Sequence, residues 1–270
     1  MIFESSSLSL ELSGHIATLW LNRPEKLNAI SFEMWGEFVS AMDVVAASDD
    51  IRAVIIAARG TSFCVGIDLS SFANSPDLST TSGCLEQLQH TQLCQDGITA
   101  IARCPVPVIA AIHSYCLGAG VDLATACDIR LASSDAVFGV RETKIGIVAD
   151  VGTLQRLPGV VSAGHVAELA YTGKDISAAR AEKIGLVNDV YEDADAVYAA
   201  AVRLAREIAS NAPLAVRGTK FVLKQSEGMN TEQSLLLNAL WTMVGSLKSD
   251  DLKEAMQAFR EKREPSFKGS

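Results

Sequence analysis

Two short runs of alternating apolar and polar residues open the chain, at 7–12 and 15–21, with Gly14 between them. Alternation with period two puts every second side chain on one face. A glycine between two such runs supplies the permissive backbone of a tight turn, so the pattern predicts a β-hairpin. A polar stretch follows, Arg23-Pro24-Glu25-Lys26-Leu27-Asn28-Ala29. Behind it Met34, Phe38, Met42 and Val45 recur at helical spacing, and Ser31 stands at the N-cap position. Residues 52–58 (RAVIIAA) and 106–112 (VPVIAAI) are near-continuous apolar runs, the mark of strands buried on both faces. A helix over about 120–127 and short strands at 129–132 and 136–138 come next.

From residue 163 the spacing turns helical, over 163–172, 177–184, 194–211, 213–225 and a long stretch at 231–259. The last carries an apolar stripe of Leu235, Leu236, Leu240, Met243, Val244 and Leu247. Residues 74–83 (NSPDLSTTSG) read as a mobile loop. Buried strands alternating with helices, and then helices alone, predict an α/β fold with a sheet covered on both faces and a helical tail.

Composition narrows the partners. With 270 residues, 49% hydrophobic and 20% charged, the chain has the material for an extensive core. A formal charge of -9 argues against a nucleic acid or an anionic membrane as partner, and any phosphorylated ligand must be met by a few local cations. The longest apolar runs are too short to cross a bilayer, and residues 1–14 lack the cationic start and apolar run of a signal peptide, so a cytoplasmic protein is expected. Cys64, Cys84, Cys94, Cys104, Cys116 and Cys127 form no CxxC pair and do not cluster with the histidines. They read as reduced, buried thiols, and no metal site is expected.

Two glycine turns and three carboxylates remain as candidate chemistry. Ser62-Phe63-Cys64-Val65-Gly66-Ile67-Asp68-Leu69 follows the first buried strand, and Cys116-Leu117-Gly118-Ala119-Gly120-Val121-Asp122-Leu123 follows the second. Glycine at a strand end lets backbone N–H groups face a ligand, and the second turn also enters a helix N-terminus. Side by side, the turns would donate two N–H groups to one carbonyl oxygen; singly, each is an ordinary strand-to-helix turn. The GAG lacks the third glycine of a dinucleotide fingerprint, and no P-loop Gly-Lys-Ser/Thr follows. Asp122, Glu142 and Asp150 lie in otherwise apolar surroundings. Each has a plain structural reading: Asp122 complementing a helix dipole, Asp150 capping a helix over 151–157, and Glu142 in a charged loop with Arg141 and Lys144. Spacing alone does not bring the three together. Ser114 beside His113 forms no GxSxG elbow, so a nucleophilic triad has no support.

The strings LNRPEKLNAIS, FCVGIDL and CLGAGVDLATACDIRLASSDAVFGVRETKIGIVADVGTLQRLPGVV closely resemble the crotonase (enoyl-CoA hydratase/isomerase) superfamily, over nearly the whole chain. The resemblance implies a spiral of ββα units over residues 1–200, holding the coenzyme A and acyl site. It implies a helical region at 201–270 for oligomerisation, as a homotrimer or a dimer of trimers. It also implies acyl-CoA thioester substrates and no cofactor beyond the coenzyme A of the substrate. By position, the oxyanion-hole N–H groups would be those of Ile67 and Ala119, where many relatives have glycine at the latter. Arg23, Lys26, Ala29 and Ile67 would meet coenzyme A, with Lys262, Phe267 and Lys268 reaching adenine in a neighbouring subunit.

The carboxylates discriminate within the superfamily. Hydratases place glutamate at the positions of Asp122 and Glu142 and glycine at Asp150. The Asp, Glu, Asp set is similar to that of the Δ3,5-Δ2,4-dienoyl-CoA isomerases of fatty acid β-oxidation. The implied reaction removes a proton at C2 and delivers one at C6, with Glu142 and Asp150 as base and acid in either order and Asp122 as their partner. Burial is expected to raise their pKa values. Asp122 is one methylene shorter than glutamate, about 1.5 Å, which weakens the two-carboxylate grip on water that hydration needs. The alternatives are a 2-enoyl-CoA hydratase, a Δ3-Δ2-enoyl-CoA isomerase, or a non-catalytic acyl-CoA-binding protein.

Overall fold

In the computed structural model, which describes residues 1–74 and 76–270, the apolar runs become neighbouring strands of one sheet. The strands are β1 (Phe3–Glu4), β2 (Leu8–Ser13), β3 (Ile16–Leu21), β4 (Ala53–Ala58), β5 (Val108–Ile112), β6 (Tyr115–Leu117), β7 (Ile129–Ser133), β8 (Val137–Gly139), β9 (Ile176–Ser177) and β10 (Asp189–Tyr191). A seven-stranded sheet has the order β1-β2-β3-β4-β5-β7-β10, antiparallel up to β3 and parallel from β3 onward. β6, β8 and β9 make a smaller sheet of three strands.

The helices are α1 (Phe32–Ala46), α2 (Thr81–Ala102), α3 (Ala119–Ala126), α4 (Thr153–Arg156), α5 (Ala163–Thr172), α6 (Ala178–Lys183) and α7 (Ala194–Ser210). The chain ends with α8 (Pro213–Gln225), α9 (Thr231–Trp241) and α10 (Asp250–Glu261). No helix among the described residues is long and apolar enough to cross a membrane.

Alternate residues of the central strands feed two cores, which is why those strands are apolar throughout. Ile16, Trp20, Ala53, Ile55, Ile109 and Leu131 pack under α7. That helix meets them with Val197, Ala200, Ala201, Ala205 and Ala209, small side chains that let its backbone lie close to the sheet. Leu19, Leu21, Val54, Ile56 and Val108 point the other way, against Trp35 and Phe38 of α1 and Ile98 and Ile101 of α2. Each such large side chain, fully buried, contributes about 1.5–3 kcal/mol. The chain division expected at 200/201 falls inside α7, between two alanines that both lie in the core under that helix.

Three expectations are corrected. Residues 74–83 are not one loop: α2 begins at Thr81, with the Thr80 hydroxyl accepting the Gly83 N–H. Ser75, within that segment, lies outside the described residues. The periodicity did not reveal α2 because its stripe of large apolar residues is thin and polar side chains take much of its inner face. The single helix over 231–259 is broken: α9 leads into a π turn (Thr242–Ser246), and Ser249 caps α10. Its stripe is not buried within the chain, since Leu235, Leu236, Met243 and Val244 are 62, 63, 62 and 80% exposed. Asp150 caps no helix; Gly152 is the N-cap of α4.

One ion pair ties the helical tail to the sheet. Lys220 of α8 is buried and donates to Asp128 (2.6 Å) and to the Val106 carbonyl (2.8 Å), while Asp128 also accepts the Val108 N–H (2.8 Å). Removing one member leaves its partners with unmet charge and hydrogen-bonding capacity. Lys220→Ala is expected to lower unfolding free energy by about 3 kcal/mol, read as a lower urea midpoint. An unchanged midpoint would show that this pair does not anchor α8.

Candidate active site

The site starts from a backbone stitch. After β4 the chain runs beside β6: Phe63 N–H donates to His113 O (3.0 Å), Cys64 N–H to Tyr115 O (2.8 Å) and Leu117 N–H to Cys64 O (3.0 Å). These bonds lay the two glycine turns against each other. Gly66 has φ +108°, and a Cβ there would stand 3.2 Å from Leu117 O and 3.8 Å from Ala119 N. Gly118 has φ +51°, and a Cβ there would meet Glu142 Oε1 at 3.2 Å and Gly66 Cα at 3.7 Å. Both positions therefore demand glycine twice over, for conformation and for close approach.

The stitch leaves two N–H groups without acceptors among the described residues. Gly66 O accepts the Ile30 N–H and Asp68 N–H donates to Ile30 O, both at 2.8 Å, so Ile67 N–H faces the opposite side. Ala119 is the first residue of α3, where an N–H has no intrahelical acceptor. Ile67 and Ala119 both line one cavity of about 930 Å³.

Asp122, Glu142 and Asp150 line the same cavity, in unlike surroundings. Asp122 sits in the first turn of α3, 2% exposed, and accepts the Thr153 N–H at 2.5 Å. Burial pushes its carboxyl up to about 6, against the pull of that hydrogen bond and of Arg156. Glu142 opens the 3₁₀ turn after β8, 9% exposed, with Oε2 buried and unpartnered among the described residues. Burial pushes it up to about 7, helped by the charges of Asp122 and Asp150. Asp150 is exposed at the cavity wall, so of the base and acid pair expected to be buried only Glu142 is. Gln95 of α2 fixes its backbone, donating from Nε2 to Asp150 O at 2.7 Å.

The expected coenzyme A contacts divide into two groups. Arg23, Lys26, Ala29 and Ile67 line the cavity. Arg23 is already engaged, donating to Ala29 O (2.6 Å) and Asp68 Oδ2 (3.1 Å), whereas exposed Lys26 has no ion-pair partner among the described residues. Lys262 and Phe267 do not line it. The chain end is folded onto α10: the Lys268 and Gly269 N–H groups donate to buried Asp251, and Arg52 donates to Phe267 O. Phe267 lines a separate apolar cleft with Leu214, Leu247 and Leu252. Sequence patterns missed the wall that α2 brings: Gln87, His90, Thr91 and Cys94. Their spacing of i, i+3, i+4 and i+7 was the available signal, hidden because three of the four are polar.

The enoyl-CoA hydratase/isomerase family profile matches residues 11–270. The chain is 41% identical over 260 residues to the mitochondrial Delta(3,5)-Delta(2,4)-dienoyl-CoA isomerase of Dictyostelium discoideum, covering 95% of this chain and 88% of that one. It is 42% identical over 254 residues to the peroxisomal enzyme of the same name from Arabidopsis thaliana, covering 92% and 91%. Among solved structures, enoyl-CoA hydratase from Bacillus anthracis superposes with a TM-score of 0.91 at 31% identity, over 98% of this chain and all of that one.

The raised Glu142 carboxyl has a measurable stability cost. The fold favours its protonated form, so its charge destabilises the native state progressively as pH rises from about 4.5 through about 7. Glu142→Gln removes that charge. It is expected to raise Tm at pH 8 by about 5 °C and to leave Tm unchanged near pH 4. A gain of equal size at both pH values would show that ionisation is not its source.

Proposed function

Because the chain belongs to the enoyl-CoA hydratase/isomerase family, we propose that it is an isomerase converting 3,5-dienoyl-CoA thioesters to 2,4-dienoyl-CoA. The observation that carries this reading is the meeting of three carboxyls, Asp122, Glu142 and Asp150, with two unpaired N–H groups on one cavity. The relatives named as dienoyl-CoA isomerases support it as well.

The thioester oxygen accepts the N–H groups of Ile67 and Ala119. Glu142, packed over Gly118 beside that hole, takes a proton from C2. The C2–H electron pair delocalises through the two double bonds and onto the oxygen, where the N–H donors stabilise it; losing one such donor costs about 3–4 kcal/mol. Asp150 delivers a proton to C6, and the double bonds settle at 2,4. Its exposure leaves it open to solvent between turnovers. Burial raises the Glu142 carboxyl toward neutrality, and the charge of Asp122, when ionised, adds to the effect, which suits Glu142 as a base. With one oxygen committed to Thr153 N–H, Asp122 is poorly placed to grip a water, which favours isomerisation over hydration.

The exposed stripe on α9 and the π turn, with Phe259 of α10 at 86% exposure, is proposed as the surface on which three copies meet. Such an assembly would let Lys262 and Phe267 contact the coenzyme A of a neighbour. Sedimentation is then expected to give three or six times 28.7 kDa, and Val244→Glu to shift it to the monomer. A wild-type monomer at micromolar concentration would reject this interface.

The activity test follows formation of the conjugated 2,4-dienoyl thioester by ultraviolet absorbance, starting from 3,5-octadienoyl-CoA. Asp150→Asn and Glu142→Gln are each expected to lower kcat by about 10²–10⁴ while substrate still binds. Wild-type kcat/KM should fall as pH drops through about 7, because Glu142 must be ionised to act as base. Hydration of 2-enoyl-CoA without diene isomerisation would overturn the proposal in favour of a hydratase.

A further inference from the structure

Behind the cavity wall stands a cation that the reaction as described does not use. Arg156 of α4 is half-buried, and its guanidinium lies across the main chain of Gly152, where a Cβ would collide with Nη1 and stand 2.9 Å from Cζ. Nη1 donates to Val151 O (3.3 Å) and Nη2 to Thr99 Oγ1 of α2 (3.0 Å). One side chain thus fastens the start of α4 to α2.

The fastened turn is the one that serves Asp122. Thr153, next along the chain from Gly152, gives the Asp122 carboxyl the only hydrogen bond it accepts among the described residues, and gives it from the backbone N–H. The Thr153 hydroxyl is buried with no partner there, so the amide acts alone.

Charge ties the two residues as well. A buried carboxylate and a half-buried guanidinium each need an opposite charge, yet the Arg156 hydrogen bonds go to neutral oxygens. Burial pushes the Asp122 carboxyl up, and after Thr153 N–H it is Arg156 that draws it back. Burial draws Arg156 down, and the Asp122 charge opposes that. The other acids at the cavity, Glu142 and Asp150, share the sign of Asp122, and burial keeps the nearby Cys64 and Cys116 thiols neutral. Around Arg156, exposed Arg103 and Glu227 are opposite in sign and offset each other.

We propose that Arg156 is a positioning residue of this site: from α2 it braces the Thr153 amide against Asp122, and it is the counter-charge that keeps Asp122 an anion. Arg156 does not itself line the cavity, so it acts through Asp122. Its consequence for turnover rests on the isomerase reading of the three carboxyls.

The test is Tm against pH in two neutral variants, Arg156→Met and Arg156→Gln, and in Arg156→Lys, which keeps the charge. In the fold Asp122 is protonated below about 6 and ionised above it, so a missing counter-charge costs stability only at the higher pH. Relative to wild type, the Tm deficit of the neutral variants is expected to be about 3 °C larger at pH 8 than near pH 4, while that of Arg156→Lys stays level. In an Asp122→Asn background the pH-dependent part should vanish. A deficit equal at both pH values in both neutral variants overturns the inference, as does one that still grows with pH in the Asp122→Asn background. With 3,5-octadienoyl-CoA, Arg156→Met should lower kcat about tenfold at little change in KM, and lower it no further once Asp122 is asparagine. An active protein whose kcat is indifferent to both neutral substitutions also overturns it. The Tm series needs no turnover, so a wild-type protein that isomerises no diene refutes the isomerase reading and leaves the role of Arg156 at Asp122 to be decided by Tm.

Discussion

The constraint on which the rest depends is the run of backbone hydrogen bonds joining the segment after β4 to β6. Cys64 both donates to Tyr115 O and accepts from Leu117 N–H, so the two segments are held in parallel register. With that register set, Gly66 and Gly118 lie close together, and the Ile67 and Ala119 N–H groups, on one cavity, have no acceptor among the described residues. A slip of one residue would turn these groups to opposite sides. The large sheet beneath provides the rigidity: β4 and β5 are buried on both faces, which leaves the turns at their ends little freedom to drift.

Desolvation then gives the carboxylates their character. Asp122 and Glu142 sit where burial favours the neutral acid, and each is held in its own way. Thr153 N–H and Arg156 offset part of the cost at Asp122. Glu142 keeps one buried oxygen with no hydrogen-bond partner among the described residues, which leaves its charged form poorly compensated and suits a base. Asp150, exposed and tethered through its backbone to Gln95, has a different environment, so three chemically similar groups are not interchangeable.

The helical tail follows another logic. α8 is anchored by Lys220 to Asp128 and to the edge of the strand region, and the chain end returns to the N-terminus of α10. Between these anchors α9 and the π turn present leucine, methionine and valine outward, beyond what a single chain of this size needs to expose. The apolar stripe is real, but the described residues of the chain do not cover it.

The hairpin, β4, β5, β7, β8, α1, α3 and the helices from α5 to α8 were legible in the sequence, because period-two and period-3.6 patterns report directly which faces are buried, whereas the short strands β1, β6, β9 and β10 were not. The motif strings carried the family and the three carboxylates. Local pattern could not place the carboxylates on one cavity, since Asp122 and Asp150 come from separate elements and converge only through the packing of α3 against α4. Nor could it find α2, whose polar inner face looks like solvent-facing sequence until the cavity beside it is seen. The exposure of Asp150, the engagement of Arg23 by Asp68 and the turning of Phe267 away from the cavity were likewise settled by tertiary contacts. Hydrophobic periodicity is a property of neighbours along the chain and so determined the elements; the site is a property of neighbours in space, and only the folded arrangement decided it.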